Sequence, residues 1–272
     1  MKNKLILSLV FVSLLFNTSC SSNSIDDKTI IVGASPTPHA LILEQTRSYL
    51  KSKGYTLEIK QYDDYIMPNV SLNEGEIDAN YFQHLPYLES YNKKNNTNLV
   101  SALKVHYEPL SIYEGKSNSL KDLKNKTIGL DNDSSNCARS LYLLEALNIL
   151  VNLDHDKGFT LTEKDVTSNQ NPYNVTLQAF EAASLPSKLS ELDFAIINGN
   201  YASSAKIPNS KILGSEEASS SSAFTYGNII AVKKENIEKE SIKVLVEALS
   251  QKEITKYINE TFEGNIISLI NN

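Results

Sequence analysis

The sequence has no tryptophan, two cysteines, and only two arginines among its 26 basic residues. Beyond its N-terminal segment no apolar run reaches the roughly 18 residues that a membrane span needs. Each shortage excludes something. With Cys20 and Cys137 alone, no disulfide framework is implied. A formal net charge of −6, without a basic stretch interleaved with aromatics, leaves no electrostatic footprint for DNA or RNA. There is no Gly-x-Ser-x-Gly elbow, no phosphate-binding P-loop and no His-Glu-x-x-His, and nothing identifies a nucleophile beside a base. The four histidines, at 39, 84, 106 and 155, lack close ligand spacing, which makes zinc capture by His84 and His106 a weak reading. No enzyme class, metal or cofactor is therefore expected.

What is present fits a folded, exported protein. The 272 residues, 41% hydrophobic and 21% charged, suffice for one large or two modest domains. Met1-Lys-Asn-Lys4 followed by the apolar Leu5 to Phe16 reads as a secretory signal, with residues 1–19 removed on export. Cys20 closes it and precedes Ser21-Ser-Asn-Ser24, the polar start of a flexible tether over residues 20–28. That pattern predicts acylation of Cys20, palmitate included, and anchoring outside the cytoplasm on a membrane. Asn17 stands where such signals usually carry leucine.

Short apolar runs alternate with helical patterns along the rest of the chain, which predicts α/β architecture with mostly parallel sheets covered on both faces. Thr29 to Gly33 reads as a strand, with Thr37-Pro38 opening a helix that stops at Gly54. Thr56 to Lys60 is a second strand, and Asp64 can cap a helix that runs to about Gly75. Leu99 to Tyr113, interrupted by Pro109, reads as a crossover rather than a central strand. Ser119 to Leu123 suggests a capped helical turn, Lys126 to Leu130 a strand, and Cys137 to Leu150 an apolar helix. Phe194 to Ile197 and Asn228 to Val232 are further buried strands, Ser219 to Ser222 a flexible loop, and Ile237 to Ile258 amphipathic helix.

Two places gather chemistry. The strand within Glu76-Ile-Asp-Ala-Asn-Tyr-Phe-Gln-His-Leu-Pro-Tyr87 stops in rings and polar tips, and ligands of open α/β sheets sit at the carboxyl ends of strands. Tyr81, Phe82 and His84 are thus candidates for a binding surface. Arg139 lies in the first turn of the helix after Asp131-Asn-Asp-Ser-Ser-Asn136, where free N–H groups, the helix dipole and a guanidinium fork can converge on a carboxylate. Asn198 and Asn200 offer amides that serve both an ammonium and a carboxylate. Arg47 is expected on a solvated helix face.

Five strings in a fixed order then carry a resemblance: Gly33-Ala-Ser-Pro-Thr-Pro-His-Ala40, Gly75-Glu-Ile-Asp-Ala-Asn-Tyr-Phe-Gln-His84, His106-Tyr-Glu-Pro109, Asn136 with Arg139, and Asn198-Gly-Asn-Tyr-Ala202. Together they resemble the methionine-binding lipoproteins of the NlpA type, the receptors of methionine ABC importers. The resemblance implies a two-lobed periplasmic-binding fold (type II) closing on L-methionine, with residues 29–110 as the first lobe, 111–227 as the second and 228–272 returning to the first. It also implies a monomer that docks on a membrane permease with its ATPase. By this resemblance Tyr65, Tyr81, Phe82, His84 and His106 hold the thioether, and Asn136, Arg139, Asn198 and Asn228 hold the amino-acid end. D-methionine or a methionyl dipeptide is the alternative ligand, and a surface adhesin or structural lipoprotein is the alternative of another class. The family's Pro-Asn-Asp-Pro-Thr-Asn is replaced here by Asp131 to Asn136, followed by Cys137, a change that loosens the anion loop and bears on affinity more than on ligand class. Its Ala-Glu-Ile-Leu-Glu is Ala-Leu-Ile-Leu-Glu44 in this chain.

Overall fold

Alternation along the strands decides how the chain layers, because successive side chains of a strand point to opposite faces. In the computed structural model the described residues are 28–218, 224–262 and 266–270. The signal peptide, Cys20, nearly all of the tether and the Ser219 to Ser222 loop lie outside them. Among the described residues eleven strands run in chain order: β1 Thr29–Ala34, β2 Thr56–Gln61, β3 Ala79–His84, β4 Leu99–Tyr107, β5 Ser111–Glu114, β6 Thr127–Asp131, β7 Thr176–Phe180, β8 Phe194–Ile197, β9 Ile212–Ser215, β10 Asn228–Lys233 and β11 Ile267–Ser268. They form two sheets, ordered β11-β4-β10-β3-β1-β2 and β7-β6-β8-β5-β9. The molecule is two-lobed, with one sheet in each lobe, and the chain passes from the first to the second between β4 and β5 and returns between β9 and β10.

Both faces of each sheet are covered. In β10, Ile230 and Val232 join the core under helices Glu240–Leu249 and Lys252–Thr261, while Ile229 and Ala231 pack on the other face with Leu72 and Leu88. The second sheet does the same, with Phe194 and Ile196 facing the helix Ser134–Ala146 and Ala195 and Ile197 facing Leu185 and Leu192. Such strands read as continuous apolar runs because neither face meets water.

Pairing is parallel among β1, β2 and β3 and among β6, β7 and β8, as the strand–helix alternation predicts. The remaining strands add antiparallel, β10 between β3 and β4, β11 on β4, and β5 between β8 and β9, so the sheets are mixed rather than mostly parallel. The expected crossover over Leu99 to Tyr113 is corrected here, since β4 is an interior strand between β10 and β11. Pro109 lies beyond the end of β4, in the segment between lobes, so its missing N–H removes nothing from the ladder. No helix forms at Ser119 to Leu123; Ser119 Oγ accepts the Lys121 N–H instead, because a single turn makes too few backbone bonds to offset nucleation. Thr37 is extended, joined to Pro38 by a cis peptide, rather than a helix cap.

Asp64 does cap the helix Met67–Glu74, accepting the N–H groups of Ile66 and Met67 at 2.7 and 2.8 Å. Arg47 lies on the surface, as expected, paired with Glu44.

Candidate functional site

β3 is buried along its whole length and ends at the cleft between the lobes in Tyr81-Phe82-Gln83-His84. His84 also caps the helix Leu85–Asn95, its Nδ1 accepting the Tyr87 N–H at 3.2 Å. That bond fixes the tautomer, so Nε2 carries the proton and donates to Asn136 Oδ1 of the other lobe at 3.0 Å. Burial, and then the nearby charge of Arg139, push the His84 pKa down to about 3, so the ring is neutral near pH 7. A neutral donor crossing the cleft is what a closing interface can hold without a second charge.

Beside it stands a ring cluster. Tyr65 meets Phe82, Tyr87 and Tyr201 with centroids 5.8, 5.9 and 4.7 Å away, and the Tyr87 hydroxyl donates to the Tyr65 carbonyl at 2.7 Å. Tyr65 donates its own hydroxyl to Asn200 Oδ1 of the second lobe. Tyr65, Phe82, His84 and Tyr87 line a cavity between the two sheets, and Leu110 adds an apolar side chain to the lining.

The same cavity is also lined by polar groups: Glu108, Asn136, Arg139, Asn198, Asn200 and Asn228. Asn198 is the first residue of a strand-to-helix turn, and a Cβ on Gly199 would stand 2.5 Å from Glu108 Oε2, so only glycine lets that turn come so close. The Asn198 amide donates to Asn136 Oδ1 at 3.3 Å, while its Oδ1 is buried with no partner among the described residues. An unpaired buried acceptor is expensive, so this oxygen is a place for a ligand's N–H. Asn228 Oδ1 accepts from His39 Nε2 at 3.0 Å, which turns the Asn228 amide nitrogen the other way, free to donate.

Glu108 is 6% exposed. It accepts from His106 Nε2 at 2.8 Å and from the backbone N–H of Asn200, and His39 Nε2 lies 3.6 Å away. Tyr81 hydrogen-bonds the other nitrogen of His106 and so fixes that ring. Burial lowers the His39 pKa to about 4 and the His106 pKa to about 3, and it raises that of Glu108. Glu108 therefore faces the cavity as a carboxyl whose hydrogen-bond donors are neutral, with the charge of Arg139 favouring its ionised form.

Arg139, by contrast, is already paired. Its Nε and Nη2 lie 2.8 and 2.6 Å from the two oxygens of Glu216, and its plane stacks 4.3 Å over Tyr226. Burial opposes the arginine's charge, but Glu216 outweighs it and raises the pKa. The expectation of free N–H groups at the start of the helix Ser134–Ala146 is corrected here. The Asp133 carboxylate accepts from Ser135 N and Asn136 N at 2.9 and 3.1 Å, so the positive end of the dipole is already taken.

Of the nine residues anticipated, Tyr65, Phe82, His84, Asn136, Arg139, Asn198 and Asn228 line the cavity. Tyr81 and His106, both fully buried, stand behind Glu108 instead of in the wall. Glu108, Tyr87 and Glu216 were missed. Glu108 had a signal, because in strand alternation it shares a face with His106 inside the His106-Tyr-Glu-Pro109 string. Glu216 had none, being one of two adjacent glutamates before a serine-rich stretch. His39, His106 and Glu108 have donor atoms within metal-cluster distance, but the hydrogen bonds among them, Tyr81 and Asn228 already account for their arrangement.

Comparison with known proteins gives the family. The family model described as NlpA lipoprotein matches residues 30–270. The methionine-binding lipoprotein MetQ of Bacillus subtilis is 37% identical, over 96% of this chain and 96% of its own length. The D-methionine-binding lipoprotein MetQ of Salmonella typhimurium is 32% identical over 91% of each. A nutrient binding protein from Burkholderia cenocepacia, solved bound to methionine, superposes with a TM-score of 0.81 at 31% identity, covering 88% of this chain and 99% of that one. The chain belongs to the NlpA lipoprotein family.

Proposed function

We propose that this protein is an extracytoplasmic receptor that closes on L-methionine between its lobes and delivers it to an ABC importer in the membrane. The observation that carries the reading is one cavity lined both by aromatic rings and by polar groups of complementary kind. Arg139 Nη1 and the Asn228 amide can hold a carboxylate, and Glu108 with Asn198 Oδ1 can hold an α-ammonium. Tyr65, Phe82 and Tyr87 suit an unbranched thioether, since sulfur gains from aromatic edges while remaining almost apolar. Tyr81 and His106 act behind this surface by orienting Glu108. D-methionine is the second reading, favoured by the name of the Salmonella relative.

Competition calorimetry with L-methionine, D-methionine, glycyl-methionine, norleucine and glutamine tests the assignment. L-methionine is expected to bind tightest. Norleucine follows within about 1–3 kcal/mol, because an apolar pocket discriminates weakly between isosteres, and glutamine trails with its amide unpaired. Glutamine displacing bound ligand better than L-methionine would sink the reading. Anchoring through Cys20 is part of the same proposal: labelled palmitate should enter the wild type and not Cys20→Ala, and equal labelling of both would refute it.

A further inference from the structure

An arginine has five N–H donors in a fixed fork. In Arg139, Nε and Nη2 are engaged by Glu216, and Nη2 also reaches the Glu108 carbonyl at 2.9 Å, which leaves Nη1 as the edge with no partner among the described residues. Glu216 is itself held firmly. It accepts from Tyr107 Oη at 2.7 Å and from Leu110 N at 2.9 Å, its own N–H donates to the Leu110 carbonyl at 3.0 Å, and its side chain is 8% exposed. Tyr107 and Leu110 flank the segment that crosses between lobes, so the carboxylate is fixed from the strand on one side and the arginine on the other. It will not swing aside when an anion arrives.

The charges around the cavity then sum in an unusual way. Arg139 contributes one positive charge, Glu216 cancels it, and Glu108 is the remaining ionisable carboxyl in the wall, with neutral His39, His84 and His106 around it. No net positive charge is left to draw in a bare carboxylate. A ligand that uses Arg139 must bring its own positive charge for Glu108.

We propose that Glu216 is a specificity-determining residue: by cancelling the charge of Arg139 while aiming Nη1 at the cavity, it makes the site accept a zwitterion and reject the same acid without its ammonium. The inference rests on the amino-acid reading above. It concerns what the site refuses, so it can fail while that reading stands. A guanidinium without Glu216 would recruit any small carboxylate, whereas the paired one rewards a carboxylate only when the ammonium is satisfied at the other pole.

The test titrates the wild type and Glu216→Gln with L-methionine and with 4-(methylthio)butanoate, the same acid lacking the amino group. The wild type should prefer L-methionine strongly. In Glu216→Gln the ratio of the two Kd values should shrink by roughly tenfold, as expected for removing one charge close to two others in a partly shielded site. Any general loosening, or misaiming of Arg139, weakens both ligands alike and cancels in the ratio. An unchanged ratio overturns the proposal; a wild type that binds neither ligand instead condemns the methionine reading. Should the variant not fold, the wild type carries a second test. Its affinity for L-methionine should change less than about twofold between about 20 and about 500 mM sodium chloride, since a neutralised guanidinium does not recruit chloride, and a loss of about tenfold would overturn the proposal.

Discussion

Arg139 and Glu108 are the charged side chains in the cavity wall, and they are held in opposite ways. Arg139 is compensated before any ligand arrives, by a bidentate carboxylate and a stacked ring. Glu108 has only neutral donors: His106, the Asn200 backbone and, at longer range, His39. An arginine in a buried site without a counter-charge would be unstable, whereas burial only raises the Glu108 pKa and leaves its charge to be met by the ligand. On the proposed reading, the contrast teaches that the polar lining is completed where the ammonium binds, and that Arg139 contributes direction more than attraction.

The largest effect that could break the comparison comes from Arg139→Ala. On the proposed reading it removes the ligand's carboxylate partner, and it leaves Glu216 buried without a counter-charge, where losing one member of a buried pair costs roughly 3–5 kcal/mol. Tight binding should vanish and the melting temperature should fall. The double variant with Glu216→Gln should recover melting temperature but not affinity, and calorimetry with thermal melts separates the two. Affinity within about threefold of wild type in the single variant would place the carboxylate elsewhere.

Glu108→Gln should have the next largest effect. It keeps the shape but removes the charge opposite the ammonium, a loss of about 1.5–3 kcal/mol in affinity for L-methionine. Because burial raises the Glu108 pKa, wild-type affinity should weaken as the pH is lowered from about 7 to about 5, while the variant stays nearly flat. A variant that follows the wild-type profile would move the ammonium away from Glu108.

A smaller effect per pH unit sharpens the view that the histidines are neutral supports. Burial holds His39 at about 4 and His84 and His106 at about 3, against 6.5 when unfolded. Between those values the unfolded chain binds more protons, so stability is full above about pH 6.5 and falls on acidification, by up to roughly 1.4 kcal/mol per group per unit. Asp131, raised by burial to about 7 from 3.8, works the other way, since the folded chain keeps its proton and that contribution is lost as pH rises toward 7. Glu108, raised by burial from 4.5, acts in the same sense as Asp131, and the three histidines outweigh the two carboxyls. Chemical denaturation at pH 7, 6 and 5 should show falling stability, and a rise would mean that the histidines are charged in the folded protein.

Much of this was legible in the sequence. The apolar runs of β1, β8 and β10 announced buried strands because both sheet faces are covered, and Phe82 and His84 could be placed at the cavity because they end a strand just before a helix, whereas Tyr65 came only from the family resemblance. Two things escaped. Tyr81 and His106 could not be told from wall residues, since ring type and spacing do not say on which side of Glu108 a ring stands. The partner of Arg139 lies 77 positions away, and no periodicity links residues brought together by the return of the chain between lobes.

The most direct test is to purify the exported protein without denaturation or added ligand, release whatever it retains, and identify it by mass spectrometry. Methionine, in stoichiometric amount and lost from Arg139→Ala, is the expected result. Retained glutamine, a simple carboxylate or a metal ion in its place would contradict both the aromatic pocket and the paired poles.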